Sequence, residues 1–294
     1  MELRHLRYFV AIADTMNFTR AAARLGIGQP PLSQQIRQLE QEIGSPLFER
    51  LPRGIRLTPV GAVFLQDARD VLARAQNAID NAQRAARGET GTLRLGYAAS
   101  AAFHPLLPRF AHAYRERYPG VRLTLVEGNT AKLSEEMAQG AIDMALIRPP
   151  YTLPAHFTRE RLIDEAMLAA LPVGHRLARA KSVRLAQLAD DSFLLFPRQI
   201  GMGLFDGILQ ACVNAGFVPR VEQEAPQMAS IISLVAGGLG VALVPECMRK
   251  INDSGVVYKR LGTQAPRAWL DMVYDGRLAS AAVANAVRVL RKVA

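Results

Sequence analysis

The chain has 294 residues, half of them hydrophobic, with Lys and Arg outnumbering Asp and Glu by 36 to 26. Such a length predicts two or more units, each able to bury a core of its own. Two cysteines exclude a disulfide framework, no run approaches the roughly 18 apolar residues of a membrane span, and the opening "MELRHLRYFV" carries no apolar signal segment. A reduced, cytoplasmic protein is expected. The net charge of +10 favours an anionic partner, nucleic acid or a small acid, but it does not locate one: residues 1–90 hold twelve basic and nine acidic side chains, and the rest of the excess lies beyond.

In "LRHLRYFVAIADTM" the residues Leu6, Phe9, Val10 and Ala13 fall at helical spacing. In "NFTRAAARLGI", Asn17 is placed to cap a short helix carrying Ala21, Ala22 and Leu25. After the turn Gly26-Ile27-Gly28 comes "QPPLSQQIRQLEQEIG", where Leu32, Ile36, Leu39 and Ile43 are four, three and four apart and mark one buried stripe. Gln29 is read as the cap and Pro30 as a first-turn residue, where the missing N–H removes no bond. At about 100° per residue the opposite side carries Pro30, Gln34, Arg37, Gln38 and Gln41, with Ser33 and Gln35 flanking. By itself a row of Gln is a solvated face. Three helices with a short glycine turn nevertheless form a helix-turn-helix, and the third stands where a recognition helix meets base edges.

Phe48 to Leu51 and Ile55 to Leu57 predict two short strands about the turn Pro52-Arg53-Gly54, and Arg50, Arg53 and Arg56 make the hairpin a basic wing. Thr58 caps a long helix to about Arg87, with Pro59 in its first turn. Along it Phe64, Ala68, Val71, Ala75, Ala78, Ala82 and Ala85 alternate spacings of four and three, a coiled-coil seam that predicts a dimer.

At this point the chain resembles the LysR-type transcriptional regulators, on "FVAIADTMNFTRAAARLGIGQPPLSQQIRQLEQEIGSPLFER" and "RGIRLTPVG". The resemblance implies double-stranded DNA as partner, with Gln29, Pro30, Pro31, Ser33 and Gln34 against the major groove and its phosphates and Arg53 in the adjacent minor groove; the outward Arg37 and the wing's Arg50 complete the candidate surface. Gln34 stands where relatives often carry Arg, and a Gln there can pair bidentately with adenine. The resemblance also implies homotetramers built from the dimer, an activator's role and RNA polymerase as a further partner.

The resemblance covers the whole chain, so the expected fold is α/β and multidomain: a winged helix-turn-helix at 1–58, a linker helix at 59–90 and a two-lobed, periplasmic-binding-protein-like effector domain at 91–294. "GETGTLRLGYAAS" marks the last boundary. Strand-like "VRLTLVE" and "IDMALI" alternate with helical segments around 106–118 and 131–138, which predicts a parallel sheet. A second set follows from about Asp164: "AMLAALP", "SFLLF", a helix around 204–215, "VPRVEQE", a helix around 228–236 and "GVALVP". "AWLDMVYD" and a helix over 280–293 then return to the first lobe. The lobes are expected at 91–163 with 267–294, and at 164–266, crossed near Arg161 to Asp164 and Gln264 to Arg267.

A two-lobed fold places its ligand in the cleft, where strand ends meet helix N-termini. Ser100, Asn129 and Thr130 fall there; they suit a carboxylate, and they equally suit ordinary helix caps. By resemblance "GYAASAAF" and "EGNT" are inducer-binding segments similar to those of sensors of muconate and aromatic acids. "LLFPRQIGMG" matches the facing loop, bringing Pro197, Arg198, Gln199 and Gly201 onto the ligand. Arg198 and Gln199 replace small hydroxyl residues of the muconate sensors. Arg148 is either a counter-charge for an acid or half of a surface ion pair. Cys212 and Cys247 read as buried bystanders, with a redox trigger the alternative. The histidines lack metal-ligand spacing, no cofactor is implied, and there is no G-x-S-x-G elbow, H-E-x-x-H or phosphate loop of an enzyme. A solute-binding receptor, the remaining alternative, accounts for the C-terminal two thirds only.

Overall fold

The computed structural model describes residues 1–51, 54–251, 254–262, 265–277 and 279–294. They divide into two compact units, 1–84 and 85–294.

In the first unit, α1 (Leu3–Thr15) buries Leu6, Phe9 and Ile12. α2 (Phe18–Leu25) starts where Asn17 Oδ1 accepts from the Arg20 amide at 2.9 Å, and ends on left-handed Gly26, φ +70°. In α3 (Gln29–Ile43), Leu32, Ile36 and Leu39 are buried. Its cap is Gly28, one residue before the expected Gln29, which is the first helical residue with both prolines behind it. β1 (Phe48–Leu51) and β2 (Gly54–Leu57) pair antiparallel, Phe48 opposite Leu57. The turn residues Pro52 and Arg53 lie outside the described residues, and the minor-groove role expected of Arg53 with them. Thr58 Oγ1 then accepts from the Gly61 amide at 2.9 Å and starts α4 (Pro59–Ala86). A Cβ on Gly61 would sit 2.1 Å from the Leu47 carbonyl, so glycine is what lets α4 lie on the chain entering the wing. Phe9 fills the centre, its ring 5.2 Å from both Phe48 and Phe64.

The long seam is not uniform. Phe64, Leu65, Ala68 and Leu72 pack into this core. Beyond them Val71 is 42 % exposed, and Ala78, Ala82 and Ala85 are exposed, so the uncovered apolar stripe is the C-terminal half of the helix.

The second unit begins as expected with parallel pairing. β3 (Gly91–Ala98) lies between β4 (Val121–Gly128) and β5 (Met144–Ile147), with crossovers α5 (Leu106–Arg117) and α6 (Thr130–Ala138). β6 (Phe157–Pro172) is a sixteen-residue strand that starts well before the predicted "AMLAALP". After it come β7 (Ser182–Val183), β8 (Ser192–Leu195), α7 (Met202–Asn214), β9 (Arg220–Glu224), α8 (Met228–Ala236), β10 (Ala242–Pro245), β11 (Val256–Leu261), β12 (Arg267–Asp275) and α9 (Ala281–Val293). The main sheet runs β4-β3-β5-β12-β6-β11-β7 with β10 also on β6, and β8 pairs parallel with β9.

The order explains the two lobes. Over 157–166 β6 is antiparallel to β12, and over 167–172 it pairs with β10 and β11. One unbroken strand thus passes from the first lobe's core (Leu93, Leu95, Phe110, Met144, Met272) into the second's (Leu171, Phe193, Ile208, Ile232, Val244). The outward crossing sits inside β6 at about Glu165–Met167; on the return crossing Gln264 lies outside the described residues. Antiparallel β12 makes the sheet mixed rather than purely parallel.

Candidate functional sites

The outward side of α3 is the first site. Gln29, Pro30, Pro31, Gln34, Arg37 and Gln38 are exposed and Ser33 half-buried, one continuous polar face opposite the Leu32–Ile36–Leu39 stripe. Thr19 Oγ1 donates to Gln29 Oε1 at 3.4 Å, tying α2 to the first residue of α3. Arg50 is exposed on β1, whereas Arg56 is ion-paired with Glu49 across the hairpin. The wing's free charge among its described residues is therefore smaller than the sequence count suggests.

The second site is a cavity of about 950 Å³ between the lobes. Ser100, Asn129, Thr130, Arg148, Gln199 and Gly201 line it; Pro197 and Arg198 do not. The Arg198 guanidinium makes two bonds to Asp206, Nε–Oδ1 2.7 Å and Nη2–Oδ2 2.8 Å, which lowers the Asp206 carboxyl below its usual range. Its charge is spent beside the cleft, because a carboxylate two turns into the sequence that follows offers a planar partner. Phe103, Phe196, Leu204 and Met228 supply apolar wall, and Tyr151 closes one side, its hydroxyl donating to Asp271 Oδ2 at 2.8 Å. Burial and that carboxylate push the phenol's pKa upward.

Arg148 forms an ion pair, but a buried one rather than the surface pair expected. It is 5 % exposed; Nη2 donates to Glu165 Oε1 at 2.9 Å, Nη1 to the Trp269 carbonyl at 3.1 Å and Nε to Ser100 Oγ at 2.8 Å. Glu165, 9 % exposed, completes its set by accepting the Cys247 amide at 2.8 Å. The network thus joins the turn after β3, the end of β5, both crossing strands and the second residue after β10. Ser100 accepts from a cation, so its own O–H remains to donate, and Arg148 acts on the cavity through it. Thr130 Oγ1 donates to the Arg148 carbonyl at 3.2 Å, which leaves main-chain N–H groups as that turn's donors. Asn129 Oδ1 accepts from the Lys132 amide at 2.8 Å and is a helix cap.

Two further observations bear on a ligand's charge. Arg148 is the only Lys or Arg among the lining residues, which include the acids Glu127 and Glu135. Four N-terminal turns meet the cavity: 99–103, α6, α7 and α8. α7 and α8 start at Gly201 and Gln227 without a side-chain cap. Sequence reasoning missed Glu165, Gln227 and Gly203, although the paired glycines of "GMG" signal a close approach. A Cβ on Gly203 would lie 1.8 Å from the Pro149 carbonyl, so the first turn of α7 rests directly on the facing lobe.

Both cysteines are buried. Burial pushes the Cys212 thiol up to about 11, and burial with Glu165 alongside pushes Cys247 up to about 12. Neither is a thiolate at neutral pH, the condition for reactivity. Among the described residues no helix is long and apolar enough to cross a membrane.

A helix-turn-helix head with a hairpin wing, followed by a long helix and a two-lobed α/β unit around a cleft, defines a one-component regulator that couples DNA to a small ligand. Residues 3–62 match the family described as "Bacterial regulatory helix-turn-helix protein, lysR family", and residues 86–294 match "LysR substrate binding domain". The chain belongs to the LysR family of transcriptional regulators and is not an enzyme. It is 42 % identical over 261 residues to the HTH-type transcriptional regulator BudR of Raoultella terrigena, covering 89 % of this chain and 90 % of that one. Among solved structures, full-length CbnR, a LysR family transcriptional regulator, superposes with a TM-score of 0.88 at 27 % identity, over 99 % of this chain and 100 % of CbnR. CbnR in complex with its target DNA gives 0.84 at 26 % identity, over 100 % and 99 %.

Proposed function

We propose that this regulator reads DNA with the exposed side of α3 and responds to a small organic monoanion with an apolar or aromatic body, held between the effector lobes. The observation that carries the ligand's charge is the cavity's own. Its positive potential comes from four N-terminal turns, three lacking side-chain caps, and from a buried arginine acting through Ser100. One carboxylate is accommodated there. A second, as in muconate, would face Glu127 and Glu135 with no unpaired cation among the lining residues to meet it. The ligand's far end is then a ring or a hydrogen-bond donor.

For the DNA side, support comes from the polar face of α3 and from the likeness to CbnR, which has been solved in complex with its target DNA. Pairing of two α4 helices through the exposed Val71–Ala85 stripe is the reading for the dimer, with the tetramer built from it. A redox trigger is disfavoured by the two buried, un-ionised thiols.

A thermal-shift screen of aromatic monocarboxylates against dicarboxylates tests the ligand class. At one hundred times Kd a ligand adds about 2.7 kcal/mol, which at about 2–4 °C per kcal/mol raises the melting temperature by about 5–10 °C. Ser100→Ala should blunt that rise while leaving the unliganded melting temperature within a few degrees. A dicarboxylate that stabilises strongly where monocarboxylates do nothing overturns the monoanion assignment. For DNA, Arg37→Ala should weaken binding and flatten its dependence on salt; an unchanged salt slope removes Arg37 from the contact surface.

A further inference from the structure

The α3 surface is rich in glutamines, and a free glutamine reads a base in either orientation: its amide pairs bidentately with adenine N7 and N6, or turns to offer either end alone. Gln38 is not free in this way. The geometry points to Gln38 as a base-reading residue locked with its NH2 group outward, a donor-only reader that selects guanine. The inference rests on the reading that α3 enters the major groove.

The lock begins in the core. His5 is 6 % exposed, and the Glu2 backbone N lies 3.2 Å from its Nδ1. A main-chain amide only donates, so Nδ1 is the lone-pair nitrogen and the neutral ring carries its proton on Nε2. Nε2 is 2.8 Å from Gln35 Oε1. Gln35 is therefore held with its oxygen on the ring and its nitrogen directed away. That nitrogen donates to Gln38 Oε1 at 2.9 Å. Each link has one permitted direction once the Glu2 amide is fixed, and the direction propagates to the surface: Gln38 spends its oxygen on Gln35 and presents NH2.

Gln38 lies one helical turn beyond Gln34 on the same exposed side. Gln34 has no such tether among the described residues and keeps both polarities. Two neighbouring glutamines thus read differently. Gln34 is free to take adenine bidentately, whereas Gln38 finds acceptors alone, which guanine offers in pairs, O6 and N7. Gln35, which touches no base in this account, is a positioning residue, and His5 anchors it.

The test is base preference at each position of a selected operator, measured with the full-length chain by fluorescence anisotropy against all single-base-pair substitutions. At one position the wild type should favour guanine over adenine by about fivefold or more, the equivalent of about 1 kcal/mol for one readout contact. Gln38→Lys, also donor-only, should keep that preference, and Gln38→Ala should lose it. Gln35→Glu is the decisive variant. It still accepts from His5 but has no N–H for Gln38, whose NH2 should swing onto the introduced carboxylate and turn its oxygen outward. The preference at that one position should then move from guanine toward bases with exocyclic donors, cytosine N4 or adenine N6, and relative preferences elsewhere should hold even as overall affinity drops. Identical base profiles for wild type, Gln38→Ala and Gln35→Glu would place Gln38 away from every base edge and overturn the inference. A guanine preference that survives Gln35→Glu would overturn the lock while leaving the contact. If wild type binds no DNA sequence selectively, the reading of α3 itself fails.

Discussion

The arginine at the crossing strands gives the sharpest stability prediction. In Arg148→Met the side chain keeps roughly its length and loses its charge, so the cavity wall stays filled while Glu165 is left 9 % exposed with no cation, retaining only the Cys247 amide. The Trp269 carbonyl and Ser100 Oγ lose their donors as well. Breaking a buried ion pair from one side costs about 3–5 kcal/mol, most of it the uncompensated charge. For a unit of about 200 residues, 1 kcal/mol corresponds to about 2–4 °C, so the second unit should melt lower by about 6–20 °C. Adding Glu165→Gln removes that charge yet leaves an acceptor for the Cys247 amide, and the double variant should recover more than half of the loss. Calorimetry of the four proteins in the cycle reads the coupling directly. A loss below 1 kcal/mol in Arg148→Met, or strict additivity in the double variant, would show that the pair is hydrated and refute its role as a buried hub.

His104 sets an acid limit: burial is the main force holding its pKa below the ordinary 6.5, so it folds neutral, and stability present above pH 6.5 is lost as pH falls below it. His104→Gln should flatten the fall in melting temperature between pH 7.5 and 5.5, and an unchanged slope assigns the fall elsewhere. Gly203→Ala should lower the unliganded melting temperature and weaken ligand binding at least tenfold, because its methyl would meet the Pro149 carbonyl on which the first turn of α7 already rests; an unchanged melting temperature and affinity would mean that this turn shifts away without disturbing the cleft. Val71→Glu, at an exposed position of the α4 stripe, should yield monomers in sedimentation, and a persistent dimer there moves the assembly surface off that helix.

What the sequence made legible follows from period and chemistry. The helices of the head carry clean stripes, and Asn17 and Thr58 are caps of the expected kind. The first half of β6 was illegible because "TRERLIDE" is charged at five of eight positions, which reads as loop. All five charges have a partner outside the strand: Arg159 with the Leu153 carbonyl, Glu160 with Arg291, Arg161 with Asp271, Asp164 with Arg267, Glu165 with Arg148. Three of these partners lie more than a hundred residues away and leave no local trace. The same holds for Arg198 and Arg148, alike in sequence as basic residues on a cleft: one turns to Asp206 and the other into the protein, and only the fold decides which. The α4 repeat misled in a different way, since a heptad does not say whether its partner is another helix or its own head, and here the first four turns, through Leu72, pack on Phe9's core.

With the anionic ligand proposed above, the electrostatics of the cleft favour contact between the lobes more when the site is filled than when it is empty. Each N-terminal turn carries about half a positive charge, and the four that meet here come from both lobes, 99–103 and α6 from the first, α7 and α8 from the second. Two half charges about 10 Å apart at an effective dielectric of about 20 repel by about 0.4 kcal/mol, so bringing the lobes together costs on the order of 1–2 kcal/mol over the pairs between them. A unit anion about 5 Å from one such end is attracted by about 1.7 kcal/mol, and in the closed arrangement it meets ends from both lobes rather than one. On that reading an anion would bind the closed arrangement better by more than the repulsion it relieves, which is the differential affinity that shifting such an equilibrium requires. A free arginine in the wall would have supplied affinity in the open state too and shifted less. Locking Arg148 onto Glu165, and Arg198 onto Asp206, leaves the discrimination between open and closed to the helix ends, the one source of positive potential in the cavity that changes with the lobe separation.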